Sequence, residues 1–353
     1  MKSLILVLLI TTLGIVSSNT PSVKAGVYVS HIPIWILGNS GFTVDNGVVS
    51  GTGTRSDPFI IEDWDITVGY SVFFIQGASA GILVENTTAS FIIRSVYVHD
   101  GPDSSANIVL KNVTNGSVDS VSVSNGNIGV LLWMTRDSSV ARSEVSGFHF
   151  RGIGLDISSE NAVEGNTIHD LGYPILARAS SHNRFINNTI QRAIGGVTIS
   201  RNSSYNTFQD NIIRDSNFGI DVSIDSNFNL VSENTMSVDR EGILVGLGST
   251  GNIIRDNNIP NSGLGVLLNR AVDTQVTSNN IVAYTTTSPP GAELFTGKGV
   301  WVLGSNSTRV TTNVITAPVG ISICNSLKTF IAPPHNDLSG SSQKILQGPK
   351  ACP

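Results

Sequence analysis

Carboxylates are the residues of this sequence whose types and spacing could support acid–base chemistry. Two pairs stand out, Asp156 with Asp221 and Asp215 with Asp239. Cleavage of a glycosidic bond by two carboxyl groups needs them about 5–9.5 Å apart. Whether either pair satisfies this requirement depends on the fold of the chain between its members.

The histidines and methionines form no recognisable nucleophile or metal motif. The six histidines are scattered, and two of them precede an aspartate, at His99-Asp100 and His169-Asp170, with no nucleophile at a readable spacing. Both pairs are interpreted as turn residues. Because the chain has only three methionines and its histidines are dispersed, it shows no copper cluster. The sequence predicts no metal and no cofactor.

A repeat of about 22–23 residues organises the chain that carries these side chains. One column opens each copy with Gly or Pro, and its members are 21 to 23 residues apart except for one gap of 34: Gly129, Gly152, Pro174, Gly196, Gly219, Gly242, Gly265, Gly299 and Gly320. A second column lags by 14 or 15 residues: Asn166, Asn188, Asn211, Asn234, Asn257, Asn279 and Asn313. Two columns with one period indicate a solenoid.

Apolar and polar residues alternate within each copy, as at Ile220, Val222 and Ile224. A period of two is typical of a strand. Such a strand cannot bury its apolar face alone, so successive copies must stack at about 4.8 Å. The sequence therefore predicts an all-β, right-handed parallel β-helix of about eleven coils, with the handedness taken from the general rule for parallel crossovers. The Asn column is predicted to be an inward structural ladder that satisfies buried backbone groups.

Four regions are predicted along the chain. Residues 1–25 have the layout of a secretory signal peptide, with an uncleaved anchor as the alternative. Residues 26–75 form an entry and capping segment, 76–325 the β-helix, and 326–353 a C-terminal cap and tail. No second apolar stretch is long enough to span a membrane after signal removal. The protein is expected to be secreted or on the cell surface.

Charge and cysteine content agree with an exported protein. The net charge is −5, so the chain lacks the basic surface typical of nucleic-acid binding. The two cysteines, Cys324 and Cys352, can form a disulfide in an oxidising compartment. That bond would tie the C-terminal tail across the end of the solenoid.

The Gly-Ile/Val starts and Asn-x-Ile frames resemble the repeats of NosD-like proteins and of the wider carbohydrate-binding and sugar-hydrolase β-helix superfamily. The resemblance covers roughly residues 80–325, and the entry segment 31–66 resembles the opening of exported archaeal members. It implies the β-helix fold and a cell-surface or secreted location. The catalytic motifs of the pectin-hydrolase and pectate-lyase relatives, such as Asn-Thr-Asp and Trp-Ile-Asp-His, are absent from this sequence.

The aligned copies predict which side chains point outward. The column four residues after the leading Gly or Pro contains Trp133, Asp156 and Arg178, and the column two residues after it contains Asp221. An aromatic face can stack on a sugar ring while charged groups hold hydroxyls or a uronate, so these four are predicted to bind substrate. The alternative is that Asp156 and Arg178 form a surface ion pair worth about 0–1 kcal/mol.

Neither carboxylate pair is a strong catalytic candidate on this alignment. Asp156 and Asp221 are three coils apart, about 14 Å by strand spacing. Asp215 and Asp239 fall in adjacent turns, but each adjoins an arginine, and surface ion pairs are the simpler interpretation. Catalytic residues stay unassigned.

One insertion, at 285–296, adds about 11 residues to a single coil. Insertions leave a solenoid at its turns and often carry binding. Alternatively, the apolar residues of this loop cover an exposed stripe formed by Leu244, Leu267 and Trp301, which is the favoured interpretation.

Three functions stay open. The favoured one is non-catalytic binding of a polysaccharide or cell-envelope glycan along one long face. The second is a polysaccharide lyase or glycoside hydrolase that uses the outer sheet. The third is accessory copper-site maturation of the NosD type, as the resemblance implies.

Overall fold

The computed structural model is a parallel solenoid with three sheets. It describes residues 28–69, 72–75, 78–285, 297–331, 335–349 and 352. The chain forms a right-handed parallel β-helix of about eleven turns, so the predicted fold is confirmed. Each coil contributes a strand to sheet A, then to sheet B, then to sheet C. Within the described part of the chain, no helix has the length and apolar character needed to cross a membrane.

Sheet A holds the strands that contain the repeated Gly or Pro column. Its strands pair in parallel, one coil with the next. They are Ile34–Leu37, Ala78–Thr87, Ala106–Val113, Ser122–Trp133, Glu144–Asp156, Tyr173–Arg178, Val197–Ser200, Ile220–Val222, Glu241–Gly246, Leu264–Asn269, Lys298–Leu303, Val319–Cys324 and Gln343–Gln347.

Sheets B and C complete each coil. Sheet B contains Val48–Ser50, Phe59–Glu62, Phe91–Arg94, Gly116–Asp119, Ser139–Ala141, Ala162–Glu164, Arg184–Ile186, Thr207–Gln209, Leu230–Ser232, Ile253–Arg255, Gln275–Thr277 and Arg309–Thr311. Sheet C contains Val29–Ser30, Trp64–Thr67, Tyr97–His99, Thr167–Leu171, Thr189–Ala193, Ile212–Ser216, Thr235–Val238, Asn258–Ser262, Asn280–Ala283 and Val314–Thr316. The long strands Ser122–Trp133 and Glu144–Asp156 pass through the corner, so they also belong to sheet C. The remaining elements are Phe73–Ile75, antiparallel to Ala78–Thr87, and two 3₁₀ helices, Asn39–Gly41 and Val44–Asn46.

The core is a set of stacked apolar columns inside the three sheets. Phe185 and Phe208 on sheet B stack with ring centroids 4.9 Å apart. Burying one Val, Leu or Ile side chain completely contributes roughly 1.5–3 kcal/mol, so each added coil is stabilised by several such contacts. The inward column of sheet A includes residues that are at most 2% exposed: Ile153, Ile175, Val197, Ile220 and Ile243.

The predicted Asn column lies buried at the turn between sheets B and C. Asn188 shows the pattern: its Nδ2 donates to the carbonyl of Val163 in the preceding coil (2.8 Å) and to Oδ1 of Asn211 in the following coil (3.0 Å). Its backbone N–H also donates to that Oδ1 at 3.0 Å. The ladder satisfies backbone groups that the turn would otherwise bury without partners. All seven predicted members are at most 1% exposed: Asn166, Asn188, Asn211, Asn234, Asn257, Asn279 and Asn313.

A second ladder, which the sequence interpretation missed, occupies the turn between sheets A and B. Asn183 there donates from its backbone N–H to Oδ1 of Asn206 at 2.9 Å and from Nδ2 to the carbonyl of Ser158 at 3.0 Å. Each member precedes a residue of the first ladder by five positions, so the signal was present in the sequence. The members are Asn161, Asn183, Asn206, Asn229 and Asn252.

The first coil begins inside the predicted entry segment. Ile34–Leu37 pairs in parallel with Ala78–Thr87, so sheet A starts well before residue 76. Outside this end of sheet A, Val72 packs in one apolar cluster with Leu83, Val109 and Leu131. The outward side chains of Leu83, Val109 and Leu131 are therefore covered, whereas Trp133 in the neighbouring outward column is half-buried.

The C-terminal end is closed by one more strand and a disulfide. Gln343–Gln347 pairs in parallel with Val319–Cys324, although it lies in the region predicted to be cap and tail. Cys324 is bonded to Cys352, with Cα atoms 5.0 Å apart. The bond ties the C-terminal tail to the last residue of the strand Val319–Cys324.

Candidate functional site

The outward positions of sheet A bring one side chain per coil into a line. Glu85, Lys111, Trp133, Asp156 and Arg178 are consecutive partners in the parallel register, and we call them the polar strip. The strip contains three of the four residues predicted to bind substrate. Strand pairing places neighbouring members about 4.8 Å apart.

Charge pairs and aromatic contacts hold the first half of the polar strip. Glu85 accepts a hydrogen bond from the Trp35 indole at 2.9 Å and pairs with the Lys111 ammonium at 3.1 Å. The same ammonium lies 5.5 Å from the centre of the Trp133 ring. This cation–π contact orients an aromatic side chain that remains half-buried at the groove.

Asp156 lies between two arginines. Arg178 donates to both of its carboxylate oxygens, at 2.9 and 3.0 Å, and Arg151 donates to Oδ2 at 2.8 Å. Burial would raise the pKa of Asp156, but the hydrogen bond from Arg178, together with the hydrogen bond and charge of Arg151, outweighs it and lowers that pKa. The predicted ion pair is therefore present, and a second arginine completes it.

The sequence analysis did not single out Arg151. In the structure it is one of the largest buried side chains, at 2% exposed. Its guanidinium passes over Gly154, where a Cβ would lie only 3.2 Å from Nη1. A side chain at position 154 would therefore crowd the arginine that reaches Asp156. Nε of Arg151 is buried and has no hydrogen-bond partner in the structure.

Beyond Arg178 the surface recedes into a pocket of about 220 Å³. Two columns of side chains form its walls. One contains the outward residues two places after each leading Gly or Pro, and the other contains the corner residues one place before it. Gly195 stands in the corner column between Tyr173 and Phe218, so the missing side chain there opens the space. The lining residues are Tyr173, Gly195, Thr198, Phe218, Gly219, Ile220, Asp221, Glu241 and Leu244.

Asp221 and Glu241 place two carboxyl groups in this pocket. Asp221 is on the strand Ile220–Val222 and Glu241 begins the strand of the next coil, Glu241–Gly246. Burial raises the pKa of Asp221 to about 6, a hydrogen bond from Ser223 opposes the rise, and the charge of Glu241 adds to it. Asp221 Oδ1 and Glu241 Oε2 are both buried and have no hydrogen-bond partner.

Aromatic and cationic groups border the carboxyl pair. Arg240 Nε is 3.9 Å from Glu241 Oε2, which is beyond hydrogen-bond distance, and the Arg240 guanidinium lies 4.9 Å from the centre of the Phe218 ring. The Glu241 side chain is 18% exposed. The carboxyl pair can therefore be reached from the solvent through Glu241, while one oxygen of each carboxyl group is buried.

The carboxylate pairs considered from the sequence differ in spacing, since Asp215 and Asp239 lie in adjacent coils, where the Asp239 N–H donates to the Ser216 carbonyl at 3.0 Å. Asp156 and Asp221 are three strands apart in the register of sheet A. The ion pairs expected around Asp215 and Asp239 are not formed in the described part of the chain. Arg214 instead donates to Gln191 at 2.9 Å, because these side chains project from neighbouring sheet C strands.

The two His-Asp sequences are structural contacts in sheet C. His99 lies between Asp65 (2.9 Å) and Asp100 (2.8 Å), which occupy both of its ring nitrogens. His169 likewise contacts Asp170 at 2.6 Å and Glu144 at 3.3 Å. Hydrogen bonds from Arg192 and His169 lower the pKa of Asp170.

The apolar stripe predicted beneath the insertion is only partly exposed. Trp301 is fully buried, with the Lys298 ammonium 4.4 Å from its ring centre, whereas Leu244 and Leu267 are half-buried. Burial lowers the pKa of Lys298. The predicted packing of the loop concerns 286–296, which lie outside the described residues.

Comparison with known proteins places this geometry in a family. The profile described as "Periplasmic copper-binding protein (NosD)" matches residues 44–236 and 190–344. The chain belongs to the NosD family. This NosD-family chain has no match among curated proteins.

Solved structures share the fold of this NosD-family chain. The A-module of the mannuronan C-5 epimerase AlgE4 from Azotobacter vinelandii is 13% identical with a TM-score of 0.54, over 91% of this chain and 89% of that one. A variant of the periplasmic alginate epimerase AlgG is 13% identical with a TM-score of 0.58, over 83% and 85%. The catalytic domain of a GH87 α-1,3-glucanase, solved with tetrasaccharides, is 12% identical with a TM-score of 0.56, over 90% and 68%.

The donor groups of this NosD-family member do not fit a copper site. Both cysteines are consumed by the disulfide, and Met236 is in the apolar core. His99 and His169 have both ring nitrogens paired with carboxylates. Across the described residues, no group of three or more His, Cys, Asp or Glu side chains could hold a metal ion.

Proposed function

We propose that the protein binds a polysaccharide along the outer face of sheet A, outside the cytoplasm. The observation that carries the proposal is the polar strip, in which Trp133 lies between a lysine and an aspartate held by two arginines. Such an array offers an aromatic surface for a sugar ring and charged hydrogen-bonding groups on either side. The proposal is supported by the strand register, which presents one outward side chain per coil about every 4.8 Å along this face.

Features beyond the groove are consistent with this role. The structural neighbours include enzymes named for alginate and α-1,3-glucan, although their low identity extends only to the fold. The disulfide is typical of an oxidising compartment. The signal peptide at 1–25 stays a prediction, since it lies outside the described residues.

A binding experiment with the mature chain tests the proposal. Alginate, polygalacturonate and α-1,3-glucan are the probes, and affinity is measured by titration calorimetry. Trp133→Ala should weaken binding of the preferred polymer by at least about 1 kcal/mol, roughly fivefold, because the aromatic contact is lost. Tyr205→Ala is the control, since Tyr205 is an exposed aromatic residue outside sheet A. Equal affinities for wild type and Trp133→Ala would remove the polar strip as the binding surface.

A further inference from the structure

We propose that the pocket containing Asp221 and Glu241 hydrolyses a glycosidic bond of the polymer held by the polar strip. The inference rests on the proposed function, because the strip supplies the binding that positions the polymer. It adds a reaction and assigns its two carboxyl groups: Asp221, which the sequence predicted to bind substrate, and Glu241, which the sequence analysis did not single out.

The shape of the pocket favours one sugar unit. Its volume of about 220 Å³ is below the roughly 300–1,000 Å³ of pockets for drug-sized ligands. Tyr173 and Phe218 flank the gap at Gly195, and both are corner residues that face the groove. A ring that enters the gap is thus bordered by aromatic side chains and shares the pocket with the carboxyl pair.

The two carboxyl groups differ in their surroundings. Asp221 is largely buried, with an oxygen that has no hydrogen-bond partner, so it holds its proton to a higher pH than an ordinary aspartate. Glu241 is partly exposed and carries the negative charge that favours protonation of Asp221. Carboxyl groups whose environments differ in this way divide into an acid and a base.

The reaction balances with water as the only co-reactant. The Asp221 proton moves to the glycosidic oxygen as the bond from that oxygen to the anomeric carbon breaks. A water oxygen bonds to the anomeric carbon, and its proton passes to Glu241. Proton exchange with solvent then restores protonated Asp221 and ionised Glu241.

Release of reducing ends from the three polymers tests the inference. We expect wild type to cleave at least one of alginate, polygalacturonate and α-1,3-glucan. Asp221→Asn and Glu241→Gln should each lower the rate at least about 100-fold. Asp225→Asn, an exposed carboxylate in the same coil, should retain the wild-type rate.

Polymer affinity and circular dichroism, measured on the same variants, separate chemistry from folding and binding. Both pocket variants should stay folded and bind the polymer within about twofold of wild type, since neither residue is in the polar strip. If wild type releases no reducing ends from any of the three, or if either pocket variant keeps its rate, the inference is overturned. Unchanged binding in that case would leave the proposed function intact.

Discussion

Replacing Asp221 by asparagine should make the protein more stable at neutral pH. The pKa of Asp221 is about 6 in the fold, against an ordinary 3.8, so the folded state holds the proton more tightly than the unfolded state. Between about pH 4 and pH 6 the folded state therefore binds more protons, and the free energy of unfolding falls as pH rises. The difference of about 2.2 pKa units corresponds to roughly 3 kcal/mol, fully lost above pH 6.

Asparagine keeps the shape of the protonated carboxyl group and cannot ionise. The difference in unfolding free energy between Asp221→Asn and wild type should therefore increase by up to about 3 kcal/mol from pH 4 to pH 7. Urea unfolding at four pH values across this range measures it. Since coils of a solenoid can open separately, hydrogen exchange in peptides that contain residues 197–245 provides a local measurement of the same quantity.

Asp225→Asn is the matched control, because this aspartate is exposed and has a positive φ that asparagine tolerates. Its stability difference from wild type should stay constant with pH. If the curves for Asp221→Asn and wild type run parallel from pH 4 to pH 7, burial does not retain the Asp221 proton. The assignment of Asp221 as the acid would then lose its physical basis.

Two further predictions concern the scaffold. Asn211→Ala should destabilise the β-helix by about 2–4 kcal/mol in urea unfolding, because the buried donors of Asn188 lose their acceptor. Asn217→Ala, at an exposed position, should change stability by less than about 0.5 kcal/mol. Equal effects of the two substitutions would contradict the ladder role. Mass measurement after alkylation should find one reactive thiol in Cys352→Ala and none in the oxidised wild type. The substitution should also lower stability by up to about 3–4 kcal/mol. Two alkylatable thiols in the untreated wild type would contradict the disulfide.

The repeat could be predicted from sequence because its strongest constraints are local. A strand that buries every second residue needs period two, and a turn that buries backbone needs a side-chain hydrogen-bonding group in each coil, a role that Ser143 fills in the coil before Asn166. Asn211 and its equivalents therefore recur at fixed positions. The second ladder, with Asn206, follows the same rule and was readable five residues earlier in five copies, whereas Thr274 and Thr308 take its place in the later two.

The pocket could not be predicted in the same way. Glu241 and Phe218 stand immediately before the leading Gly, where the chain bends and the alternation that assigns side-chain direction no longer applies. Arg151 occupies the same column and passes over Gly154, where a Cβ would lie 3.2 Å from its Nη1. The pocket also depends on a missing side chain at Gly195. Such sites depend on how side chains of neighbouring coils pack against one another. The apolar–polar pattern of a single strand carries no information about that packing.

Each coil contributes one residue to each outward column of sheet A. Distances along this face therefore come in steps of one coil. Trp133 and Asp221 are four coils apart in sheet A, about 19 Å by strand spacing. Removing or duplicating one complete repeat between them would change that separation by about 4.8 Å and keep the parallel stacking of the coils. The separation between Trp133 and the carboxyl pair sets the length of polymer between them. Gain or loss of a coil changes this separation by one whole step, whereas a point substitution does not change it.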